Sequence, residues 1–102
     1  MIFVLDENDL RDDHKISAFY FYASWMPFHK KMTIMISKIE EKYKDIAFYA
    51  IDTDHFKGLC KRYDIQEIPT VVIKKQGNEV KRVVGLTLTS AFKTVFNDIC
   101  NN

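Results

Sequence analysis

The chain has few of the residues that staple or interrupt a fold, with 2 cysteines, 2 prolines and 3 glycines in 102 residues. Two thiols, Cys60 and Cys100, can build neither a disulfide framework nor a four-thiolate metal site. Neither charge is in surplus: 15 Lys+Arg against 14 Asp+Glu leave a net charge of +1. That balance excludes a dedicated nucleic-acid binder. Lys30-Lys31 and Lys74-Lys75 are short pairs that read as solvated surface. No apolar run approaches a membrane span, and the residues from Ile2 to Leu5, ahead of Asp6, are too few for a signal peptide. The expectation is a cytoplasmic chain with no membrane and no nucleic-acid partner. Repeats, linkers and low-complexity stretches are absent as well.

What is present suits one packed core. Hydrophobic residues make up 47% of the chain and aromatic residues 14%, so a single domain over 1–102 is expected. Ile2 to Leu5 reads as a short strand and Asp9 to Asp13 as a short helix with one apolar residue, Leu10. Ile16 to Tyr22 is apolar on both faces, as a strand covered on both sides is. Phe28, Met32, Met35, Ile36, Ile39 and Tyr43 then form a helical stripe that runs to about Lys44, with Pro27 in its first turn.

Ile46 to Ile51 is a third strand that ends at Asp52-Thr53-Asp54. Phe56, Leu59, Cys60 and Tyr63 have the i, i+3, i+4, i+7 spacing of a helix with one buried face. Val71 to Ile73 and Glu79 to Val84 flank the turn Gln76-Gly77-Asn78 and predict a hairpin. Gly85 breaks the second strand. A last amphipathic helix carries Phe92, Val95, Phe96 and Ile99, with Thr89 or Ser90 as its cap. The order βαβαβαββα implies an α/β fold, a mixed central sheet with helices on both faces.

The stretch Ala23-Ser24-Trp25-Met26-Pro27-Phe28-His29-Lys30 sits where a strand turns into a helix, a place where free backbone N–H groups gather. With Asp52-Thr53-Asp54, Ile68-Pro69-Thr70 and Val84-Gly85 in register, the chain resembles the thioredoxin family over nearly its whole length. The resemblance implies a thioredoxin-like fold. It also implies that Met26 and His29 stand where the family carries the two cysteines of Trp-Cys-x-x-Cys. Thiol–disulfide exchange needs a thiolate to attack and a second thiol to resolve the mixed disulfide. A thioether has no acidic proton, and an imidazole forms no disulfide. The buried Asp of the family, six residues before the first cysteine, matches Tyr20 here.

The resemblance further implies a cis peptide bond at Pro69, and a backbone at Ile68 offered to an extended peptide. The expectation is therefore a redox-inactive domain that binds a protein or peptide non-covalently. The surface would be an exposed apolar patch of Trp25, Met26, Phe28, Ile68 and Pro69, flanked by Pro27 and His29. The plainer reading makes Phe28 core and Pro69 only a turn. A second copy of the chain stays open as an occupant. The alternative is an oxidoreductase, or another activity that needs only one thiol, using Cys60 or Cys100.

Two further readings concern metals and bridges. His29 offers a general base or a metal ligand, with Met26 as a soft second donor suited to copper. His14 and His55 are distant in sequence, so a histidine hydrogen-bonded locally is preferred and neither metal nor cofactor is expected. Asp52 and Asp54 read as caps of the following helix, Asp54 first. Cys60 lies on an apolar stripe and reads as an inert core thiol, and Cys100 as the more exposed one. In the implied fold their helices lie on opposite faces of the sheet, beyond the reach of a disulfide.

Overall fold

The computed structural model describes residues 1–10 and 15–101. The elements run β1 (Ile2–Phe3), a 3-10 turn (Glu7–Asp9), β2 (Ile16–Tyr22), α1 (His29–Lys42), β3 (Ile46–Asp52), α2 (Lys57–Arg62), β4 (Thr70–Lys75), β5 (Asn78–Val84) and α3 (Thr89–Asn101). The helix expected over Asp9–Asp13 is replaced, as far as Asp9, by the 3-10 turn. There the Asp6 and Asp9 side chains cap each other's backbone N–H groups. Leu10 ends that turn in an extended conformation, and residues 11–14, with His14, lie outside the described residues.

The five strands form one sheet in the order β1-β3-β2-β4-β5. β3 runs parallel to both β1 and β2, while β4 is antiparallel to β2 and β5 to β4. β2 is central, and its alternating side chains supply two cores. Ile16, Ala18 and Tyr20 face Met32, Ile36 and Ile39 of α1 and Phe92 and Phe96 of α3. Phe19 and Phe21 face the other way, with Ile51, Val72 and Leu59 of α2. Burial of each large side chain contributes about 1.5–3 kcal/mol, so a continuous apolar run must lie at the centre of the sheet.

The β4–β5 hairpin closes through Gln76 (φ 52°) and Gly77 (φ 83°), between paired Lys75 and Asn78. Two successive positive φ values match the right-handed twist of the strands. Gly85 (φ 84°) ends β5, and its N–H donates to the Pro69 carbonyl at 2.8 Å. α3 opens one residue earlier than a Thr89 cap requires and two earlier than a Ser90 cap, because the Leu88 carbonyl already accepts from Phe92 N–H at 3.1 Å. Among the described residues no helix is long and apolar enough to cross a membrane.

Candidate functional site

Beyond Tyr22 the chain makes two successive turns before α1 begins. Met26 N–H donates to the Ala23 carbonyl at 3.0 Å, and His29 N–H to the Met26 carbonyl at 3.2 Å. Phe28 then adopts a left-handed backbone (φ 63°, ψ 13°) and caps α1 with no side-chain hydrogen bond. Its carbonyl accepts the first helical bond, from Met32 N–H at 2.9 Å. A left-handed residue cannot lie inside a right-handed helix. Phe28 and Pro27 are therefore outside α1, and Pro27 occupies the preceding turn rather than the first helical turn expected of it.

The expected apolar patch is only partly assembled at the surface. Trp25 is 68% exposed and Phe28 56%, while Ile68 is half-buried. Met26 is only 6% exposed and Pro69 is buried, so neither offers its side chain as an exposed member. The reason is the tight turn itself. Folding back to Ala23 brings Met26 inward, so the thioether joins the core and the indole beside it points to solvent. Met26 still lines the floor of an open cleft of about 350 Å³ with Ser24, Phe28, His29, Lys30 and Lys31. The Ile68–Pro69 peptide bond is cis. With Phe21 paired to Thr70, the antiparallel register carries Ile68 and Pro69 alongside the end of β2 that leads into Trp25.

Trp25 is held from across the site. Its Nε1–H donates to Asp54 Oδ2 at 3.0 Å. Asp54 is therefore not the cap of α2, whose N-terminus at Phe56 has no side-chain cap. Asp52 Oδ1 accepts from Asp54 N–H at 2.9 Å and shapes the loop, and Thr53 N–H ties that loop to the Tyr22 carbonyl at 2.8 Å. Asp52 Oδ2 also lies 3.4 Å from His55 Nδ1. Spacing rules alone assign these aspartates to the nearest helix. The indole partner lies 29 residues away, and only the end-to-end pairing of β2 with β3 reveals it.

Beneath the turns lies a stack of three rings. Tyr20 and Tyr22 lie with centroids 5.2 Å apart and planes at 21°, and Tyr22 and His29 at 5.0 Å and 7°. His29 thus anchors to β2 by stacking. Its Nδ1 is buried with no hydrogen-bond partner among the described residues, while its backbone carbonyl accepts from Thr33 Oγ1 at 2.9 Å. The Tyr20 hydroxyl is likewise buried without a partner of normal geometry. Burial pushes the Tyr20 phenol up to about 12, an effect that the neighbouring Thr33 side chain partly opposes. Burial also raises the Tyr22 phenol, helped by the Asp52 carboxylate.

Neither thiol belongs to this site. Cys60 is half-buried on α2, its Sγ 4.0 Å from the Thr53 carbonyl, and burial pushes its thiol up. A raised pKa reduces the thiolate that either thiol exchange or nucleophilic attack needs. Cys100 is exposed near the end of α3. α2 packs on one face of the sheet and α3 on the other. No group of three or more His, Cys, Asp or Glu among the described residues is placed to hold a metal.

Three comparisons bear on this geometry. The family model described as Thioredoxin matches residues 6–98. Thioredoxin-2 of Saccharomyces cerevisiae is 34% identical over 79 residues, 78% of this chain and 76% of that protein. A Thioredoxin H-type of Fagopyrum esculentum is 33% identical over 75 residues, 74% of this chain and 65% of that protein. Among solved structures, a mutant thioredoxin from Halobacterium salinarum NRC-1 superposes with a TM-score of 0.85 at 26% identity, covering 95% of this chain and 88% of that one.

Proposed function

The chain belongs to the thioredoxin family, and we propose that it is a redox-inactive member that binds an extended protein segment non-covalently. The observation that carries this reading is the state of position 26. A buried thioether stands where dithiol exchange requires an accessible thiolate, while the indole and phenyl rings beside it stay exposed. An extended segment would pair its main chain with the half-buried Ile68 and set apolar side chains against Trp25 and Phe28. The carboxylate of Asp54 holds the indole edge, so its face remains for contact. The raised thiol of Cys60 speaks against the one-thiol alternative at that residue.

The test is insulin disulfide reduction in dithiothreitol, with the natural chain, a Met26→Cys/His29→Cys variant and a Cys60→Ser/Cys100→Ser variant. The natural chain is expected at the background rate, and the first variant above it. A natural rate above background that disappears in the second variant would overturn the reading. Because Trp25 is the only tryptophan, its emission reports directly on binding of an apolar extended peptide. By that emission Phe28→Ala should weaken binding about tenfold, and by anisotropy of a labelled peptide Trp25→Ala should do the same, as loss of one aromatic anchor does.

A further inference from the structure

We propose that the groove between α1 and the first turns of α3 docks an acidic segment of a partner protein. This surface contains neither Trp25 nor Ile68 and meets the site above only at Lys31, which also lies over the Phe28 ring, so Lys38 and Lys42 distinguish the two readings. Lys31, Ile34, Met35, Lys38 and Thr89 line a groove of about 240 Å³. Along α1 the exposed residues Lys31, Ile34, Lys38 and Lys42 recur at helical spacing, so they form one ridge. Lys93 lies one turn beyond Thr89 on α3, where the neighbouring Lys42 side chain pushes its pKa down.

Opposing carboxylates are scarce there. Glu40 is engaged by the amino group of Met1. Glu41, three residues beyond Lys38, is the one exposed acid of α1. Asp45 follows the helix end, and Asp98 lies on the far side of α3 with Lys75 and Val80. No described carboxylate forms an ion pair with Lys31, Lys38, Lys42 or Lys93. A ridge of exposed lysines beside the groove, without paired acids, presents a positive face that an arriving carboxylate complements.

The groove's apolar floor narrows the partner further. Ile34 is 55% exposed amid the lysines, and Met35 lies half-buried beside it. The complementary segment carries acids on either side of an apolar residue. A nucleic acid would leave Ile34 unmatched, and a net charge of +1 gives little long-range pull on a polyanion. A membrane would require a broader apolar face than one isoleucine and a half-buried methionine.

The experiment titrates isotope-labelled protein with a short synthetic peptide of alternating Glu and Leu, following amide shifts and fluorescence anisotropy. Controls are the same peptide with Gln for Glu, phosphatidylserine vesicles and single-stranded oligothymidylate. Saturable binding is expected, with shifts confined to the Lys31–Lys42 ridge and the start of α3. A Lys38→Glu/Lys42→Glu variant, which leaves the Lys31–Phe28 contact intact, should weaken it about tenfold, as should salt near 1 M, where the Debye length is about 3 Å. Ile34→Ser, an exposed substitution that the fold tolerates, should weaken it too. The proposal fails if the Gln peptide binds equally well, if the shifts fall elsewhere, or if vesicles or oligothymidylate bind more tightly. Trp25 emission reads the other surface separately, so the two readings can fail independently.

Discussion

Tyr20 is buried at the centre of the sheet, and its hydroxyl has no partner of normal geometry among the described residues. A desolvated, unpaired hydroxyl costs about 1–3 kcal/mol, so Tyr20→Phe should stabilise the protein by about 1 kcal/mol at neutral pH. The sign of its pH dependence follows from the raised phenol. Its stabilising share is whole below the ordinary value of 10.0 and is lost as pH rises through about 12. Ionisation of the unfolded chain across that window, discounted for partial solvent screening, is worth about 2 kcal/mol. Urea denaturation at stepped alkaline pH should therefore show the advantage of Tyr20→Phe widening, while Tyr22 still titrates in both proteins. A constant gap would mean that the hydroxyl is solvated. The same position explains why chemistry was legible here and packing was not. Tyr20 could be seen to lack a carboxyl from its letter alone, whereas its stack on Tyr22 and His29 depends on the turn that brings His29 back over β2.

At the scale of elements, the ends matter more than the middles. Strand and helix cores follow from periodicity because burial repeats every two or 3.6 residues. Caps follow from local geometry that periodicity does not encode. Phe28 has the spacing of a helix face, yet its left-handed backbone leaves it exposed as the cap of α1. Asp54 is placed like a cap, yet it holds Trp25. Gly85 is an end whose residue type does reveal its geometry. It adopts φ 84° with open space where a Cβ would stand, so substitution is opposed by the backbone alone. Gly85→Ala should cost about 1–2 kcal/mol in urea denaturation, and Gly85→Asn less, since asparagine tolerates the left-handed region. Equal losses for the two would point to a steric cause.

At the scale of the whole molecule, the sheet separates the two thiols. Cys60 lies under one face and Cys100 on a helix over the other. Mild oxidation should therefore yield a dimer linked through Cys100, visible on a non-reducing gel. Cys60→Ser should leave that dimer intact and Cys100→Ser should abolish it. A bridged monomer, detected as a loss of about two mass units, would contradict the arrangement. The amino-acid order by itself determined the fold, because a doubly apolar strand flanked by amphipathic helices has few ways to bury its faces. It also determined that positions 26 and 29 cannot exchange disulfides, because that is a property of the side-chain atoms. Only the tertiary structure decided which site residues meet solvent. Met26 and Pro69 turn inward, Trp25 and Phe28 outward, and two helices distant in sequence bring Lys42 against Lys93. Exposure and charge proximity are set by contacts between segments far apart in the chain, and no local pattern records them.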